Sequence, residues 1–312
     1  MLDPARPALL LAPMEGVTDA PMRALMGETG AFTFAVSEFI RVAQTVPPAG
    51  VFRRHVPELL TGCRTPTGLP VVVQLLGGDP GRVAEAAVIA VAAGATAVDL
   101  NFGCPAPTVN KHDGGATLLK DPPRVRAVVA AVRAALPHTV PVSAKLRLGW
   151  DDPDTVFETT ALAAEGGASW LTVHARTRTQ GYAPPVDWKR VGRVRERLAL
   201  PVVANGDIWT LDGFRRCRDE CGCRHFMLGR GALATPGFAR AVAVELGLAT
   251  PADPPAWPVW VRRLAVYAPA VPAARLKQWL RIAATCGTFA GFDRVKRAGT
   301  VAEVYAAVDA AG

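Results

Sequence analysis

Eight short, almost wholly apolar runs, each followed by a stretch of helical periodicity, constrain this chain more than anything else in it. They fall at 8–12, 33–37, 71–75, 97–101, 142–146, 170–174, 202–204 and 226–228. A run that is apolar throughout suits a parallel strand covered on both faces. The helices between carry their own punctuation. Asp121-Pro122 supplies an N-cap and a first-turn proline, and Val125, Val128, Val129, Val132 and Leu136 then recur on one face. Asp79-Pro80 opens a second such helix, which Gly94 closes. Eight strands in βα alternation exceed what an open doubly wound sheet of this length usually holds. The expected fold is therefore α/β, a (β/α)8 TIM barrel.

The pattern changes near residue 248. Pro251, Pro254, Pro255 and Pro258 crowd the next ten residues, and the segments around 260–267, 273–285 and 300–308 are helical without a strand among them. This divides the chain into a barrel over 1–248, a Pro-rich linker over 249–258 and a small C-terminal helical domain over 259–312. No apolar run approaches the ~18 residues of a membrane span, and the run at 8–12 is too short for a signal peptide, so a soluble cytoplasmic protein is expected. A monomer is expected too, although nothing in the sequence fixes the oligomeric state.

Six cysteines at irregular spacings read as free thiols. Cys217, Cys221, Cys223 and His225 lie close together, but their spacing is not a standard zinc pattern and they precede the eighth strand, at the barrel floor. No metal is expected there. The net charge is +8, and from Trp257 onward eight Arg and Lys face three Asp and Glu, a net of five positive charges. Such asymmetry points to a polyanion such as nucleic acid, although a solvated helical surface accounts equally well for the charge alone.

Active sites of such barrels sit at the C-terminal ends of the strands. Those ends carry Pro13, Met14 and Glu15; Ser37 and Glu38; Gln74; Asn101 with Cys104; Lys145 and Arg147; His174 and Arg176; Asn205, Gly206 and Asp207; and Gly229, Arg230 and Gly231. Glycines at the last two ends suit a phosphate, since they let backbone N–H groups approach it closely; tight turns are the plainer reading. Lys145 and His174 can point into one mouth and stabilise charge on a reduced ring. Cys104, between Gly103 and Pro105, is either a general acid held by a rigid loop or a buried structural thiol. The following stretch, Lys111 to Ala116, has the composition of a loop that closes over substrate.

Taken together, Leu11-Ala12-Pro13-Met14-Glu15-Gly16, Asp99-Leu100-Asn101-Phe102-Gly103-Cys104-Pro105, Lys145-Leu146-Arg147-Leu148-Gly149, His174-Ala175-Arg176-Thr177, Asn205-Gly206-Asp207-Ile208 and Gly229-Arg230-Gly231 resemble the tRNA-dihydrouridine synthases. Ser37 to Val42, Gly114 to Pro122 and Ala274 to Leu280 are similar to the bacterial subgroup acting on uridine 16. The resemblance implies non-covalent FMN, reduced by NADPH or NADH and reoxidised by uracil, with Cys104 as proton donor to C5. It implies flavin contacts from Pro13, Met14, Glu15, Gln74, Lys145, His174, Asn205, Gly206, Asp207, Gly229 and Arg230. It also implies tRNA contacts from Arg41, Asn101, Tyr182, Arg275 and Lys277. Two other readings share parts of this pattern. A small-molecule FMN oxidoreductase of the dihydroorotate dehydrogenase type leaves the basic tail without a role, and a non-catalytic RNA-binding barrel leaves the strand ends without one.

Overall fold

The computed structural model describes residues 2–110 and 114–311, and in it eight parallel strands close into a barrel. The strands are β1 Ala8–Leu11, β2 Phe34–Arg41, β3 Val71–Leu76, β4 Val98–Asn101, β5 Val142–Arg147, β6 Trp170–His174, β7 Val202–Asn205 and β8 His225–Leu228. Each pairs with the next, and β1 closes the ring on β8 with Leu10 opposite Met227. The expected barrel and the helices after it are both present.

Most strands match the expected runs to within a residue at an end, and one runs well past its expected end. β2 continues to Arg41 instead of stopping at Ser37, because its register against β3 shifts between Val36 and Phe39. The Ser37 hydroxyl takes the Gln74 N–H at 3.1 Å within this bulge. A bulge re-aims the side chains beyond it, and Phe39 becomes part of the barrel mouth.

Side chains alternate along each strand, so every second residue faces the barrel axis. At the bottom these residues form an apolar plug of Ala8, Leu10, Phe34, Val36, Val72, Trp170, Val203 and Met227. Phe34 and Trp170 meet edge to face at 5.8 Å within it. A polar layer follows, built on β3, β4 and β5. Gln74 donates to Asp99 at 2.7 Å, Ser143 donates to Asp99 at 2.5 Å, and Asn101 donates to Gln74 at 2.8 Å. Gln74 and Asp99 are buried, so these bonds satisfy groups that would otherwise be costly to take out of water.

The helices behave as their punctuation predicts. The Asp121 carboxylate caps Pro122–Ala135 by accepting from the Arg124 N–H, and Val125, Val128, Val129 and Val132 are fully buried against the barrel. Asp79 caps Pro80–Ala92 in the same way. Gly94 ends that helix at φ +116, where a Cβ would stand 2.5 Å from the Leu59 carbonyl oxygen. The short helix Ala49–His55 and the helix Phe238–Glu245 add to the elements read from sequence.

Residues 250–256 have no regular structure, but Trp257 already begins a helix with Pro258 in its first turn, two residues before the expected start of the helical domain. The C-terminal helices Trp257–Arg263, Ala273–Cys286 and Val301–Asp309 share one apolar core with the barrel. Trp279 anchors the middle helix: it is fully buried, and its indole N–H donates to the Leu233 carbonyl at 2.9 Å. Among the described residues no helix is long and apolar enough to cross a membrane.

Candidate active site

A cavity of about 550 Å³ opens at the C-terminal ends of the strands. Ten of the eleven residues expected to hold a flavin line it: Pro13, Met14, Glu15, Lys145, His174, Asn205, Gly206, Asp207, Gly229 and Arg230. Gln74 is the exception. It is fully buried in the polar layer, with both ends of its amide engaged by Asp99 and Asn101. Asn101, Cys104 and Tyr182 also line it. Ile282, from the helix Ala273–Cys286, completes the wall from above, so that helix roofs part of the mouth.

The loop that carries Cys104 is held from several directions. The Asn101 side-chain oxygen accepts from the backbone N–H groups of Gly103 and Cys104 at 3.0 and 2.9 Å. Arg147 donates to the Gly103 carbonyl at 2.8 Å, and Arg178 to that of Pro105 at 3.2 Å. The Ala116 N–H donates to the Cys104 carbonyl at 3.1 Å. Gly115, at φ +60, lies so close that a Cβ there would stand 3.0 Å from that same oxygen. Lys111, His112 and Asp113 of the expected closing loop lie outside the described residues. The thiol is thus fixed in position by backbone contacts, and burial raises its pKa, so it stays protonated at neutral pH.

Around it the electrostatics are those of an anion site. Burial lowers the pKa of Lys145 to about 8, with the neighbouring Arg147 charge adding to the effect. Its ammonium donates to the Asn205 amide oxygen at 3.1 Å. Burial and the charges of Arg147 and Lys145 push His174 well below its ordinary range, so it is neutral at pH 7. Its Nδ1 is buried without a hydrogen-bond partner. Arg147 is 3% exposed and gathers the carbonyls of Gly103, Thr177 and Gly181 at 2.8, 3.0 and 2.9 Å, with no carboxylate paired to it among the described residues. A buried cation held only by dipoles leaves net positive potential in the cavity. Of the nearby carboxylates, Asp207 is paired to Arg176, and burial raises the pKa of Glu15.

The cavity also takes in Arg147, Trp209 and Ile282, to which the sequence alone assigns no role. Arg147 had a readable signal, since Ser143, Lys145 and Arg147 recur at alternate positions of one strand.

The residues expected to meet RNA divide into two groups. Arg41 is exposed, its side chain donating to the Thr108 carbonyl at 3.3 Å and to nothing else among the described residues, and Tyr182 is 56% exposed. The others turn inward. Asn101 holds the cysteine loop, Arg275 bonds to Asp19 and to the Val17 carbonyl, and Lys277 donates to the Ala298 carbonyl at 2.9 Å. At the barrel floor Cys217, Cys221 and Cys223 are buried, and among the described residues no group of three or more His, Cys, Asp and Glu is arranged to hold a metal ion.

The family model described as dihydrouridine synthase matches residues 10–271. The chain is 44% identical over 279 residues to a tRNA-dihydrouridine(16) synthase of Aquipseudomonas alcaligenes, covering 87% of this chain and 89% of that protein. It is 44% identical over 280 residues to the protein of the same name from Pseudomonas putida, covering 87% and 86%. The protein of that name from Pseudomonas syringae pv. tomato is 46% identical over 235 residues, covering 75% and 74%.

Proposed function

The chain belongs to the dihydrouridine synthase family, and from that premise we propose that it reduces uridine 16 of transfer RNA, with bound FMN and with NADPH or NADH as reductant. The observation that carries this reading is the meeting, in one electropositive cavity, of a protonated Cys104 with Lys145, neutral His174, Asn205 and Arg230.

The cavity residues fit FMN. Buried His174 Nδ1 and Asp207 Oδ1 each lack a hydrogen-bond partner, which leaves them for a polar ligand. Lys145, Arg147 and Arg230 favour an anionic one. Pro13, Met14, Glu15, Lys145, His174, Asn205, Gly206, Asp207, Gly229 and Arg230 would hold the cofactor, while Gln74 braces the floor from below. When bound, FMN supplies the reducing equivalents for the C5–C6 bond of uracil.

The chain's own groups supply the rest. Cys104 delivers the proton to C5, a step suited to a thiol that burial keeps neutral and that three neighbouring segments keep still. Lys145 stabilises negative charge that develops in the cavity, and the neutral imidazole of His174 offers a hydrogen bond without adding a second full charge there. A uridine inside folded RNA reaches such a mouth only when it is extruded from its stack. Arg41 and Tyr182 are exposed where the flanking strand would pass. Asn101, Arg275 and Lys277 then serve the RNA by holding the cysteine loop and the roof helix in place.

The test is substrate choice by the purified protein, supplied with FMN and NADPH. Unmodified tRNA is expected to yield dihydrouridine, while free uracil and dihydroorotate do not react. Turnover of dihydroorotate without reaction on tRNA would replace this reading with a small-molecule oxidoreductase.

A further inference from the structure

Arg230 stands in the cavity wall with a guanidinium that makes no hydrogen bond among the described residues. Aromatic rings flank it. Its Cζ lies 4.4 Å from the ring centre of Tyr182 and 4.8 Å from that of Trp209. Tyr182 and Trp209 come from the loops that follow β6 and β7, Arg230 from the start of the helix that follows β8, and all three line the same cavity. The nearest carboxylate oxygen, Asp207 Oδ1, is 3.8 Å from Nη2, beyond hydrogen-bond distance, and Asp207 gives its other oxygen to Arg176.

We propose that Trp209 is a positioning residue that, with Tyr182, holds the Arg230 guanidinium edge-on to receive the phosphate of the nucleotide cofactor. This rests on the flavin reading above and deepens it. A guanidinium is weakly hydrated on its faces and donates only from its edge, so rings against the faces direct its N–H groups to a ligand in its plane. That edge matches two oxygens of a phosphate. The place agrees, because barrel enzymes often bind phosphate beyond their seventh and eighth strands. Gly206, at φ +118, and Gly229 leave the backbone there free of side chains.

The experiment compares FMN with riboflavin, which lacks the phosphate, by titrating each into flavin-free full-length protein and following flavin fluorescence. Trp209→Ala is expected to weaken FMN about tenfold and riboflavin less than about twofold, and Trp209→Phe to restore FMN binding to within about threefold. In an Arg230→Ala background, which removes the preference for FMN, the same tryptophan change adds less than about twofold. Equal loss of both ligands in Trp209→Ala marks a merely structural residue and overturns the proposal. So does unchanged FMN binding, or an FMN preference that survives Arg230→Ala. Wild-type protein that takes up neither flavin removes the flavin reading itself, and this inference with it.

Discussion

Burial acts on Lys145 and Cys104 in opposite directions. It disfavours charge in both, so the thiol is held protonated while the ammonium loses its proton more easily, at about 8. A cation whose pKa is lowered is charged below that value and neutral above it, so the charge on Lys145 disappears as pH rises through about 8. Cys104, raised above its ordinary value, contributes no loss in that window. The pH profile of kcat/KM for tRNA reduction is therefore expected to fall on its alkaline side with a midpoint near 8. Lys145→Arg, whose side chain stays protonated across that whole pH range, should lower the rate yet remove that limb. A limb that persists in the variant belongs to another group. Much of this chemistry was readable from residue spacing, because Asp99 and Asn101, Ser143 and Lys145, and Thr172 and His174 recur two apart in otherwise apolar strands. Two parts were not. The Asn101 side chain binds the backbone of its own loop, and Gln74 turns to Asp99 rather than to the cavity; neither depends on the residue's position in the chain alone.

The helix Ala273–Cys286 shows the same division at the level of an element. Its periodicity was readable, but the placement of its charges was not. Of the eight basic residues in the C-terminal segment, Arg262 pairs with Asp309, Arg263 with Glu28, Arg275 with Asp19 and Lys296 with Asp293. Lys277 and Arg294 donate to backbone carbonyls. Arg281 and Arg297 are exposed, and their guanidinium groups make no hydrogen bond or ion pair among the described residues. Free phosphate-binding capacity is thus smaller than the net charge suggests, and it is concentrated in those two. Affinity for tRNA should fall steeply with salt as bound cations are released. Arg281→Ala and Arg297→Ala should each reduce the slope of log K against log salt by about 1, while Arg262→Ala should change it far less. Equal effects from all three would remove the distinction between paired and free arginines. The bulge in β2 was equally hidden, since a register shift arises between two strands and leaves no mark on the composition of one.

At the scale of the whole molecule, the barrel could be read because βα alternation imposes both connectivity and burial on the sequence. The relation of the C-terminal helices to it could not. Four prolines suggested a break, yet Trp260, Leu276, Trp279 and Val304 extend the barrel's own core, and the roof helix brings Ile282 into the cavity wall. The cavity and the C-terminal helices are therefore parts of one packed body, with Cys104 in the cavity wall. The most direct test of that account is to map dihydrouridine in tRNA from cells lacking this protein, after restoring either the wild type or Cys104→Ala. The account predicts that the wild type restores dihydrouridine at position 16 and that Cys104→Ala, although it still binds FMN and reduces it with NADPH, restores less than about a hundredth as much at equal times. Normal dihydrouridine at position 16 with Cys104→Ala would contradict it.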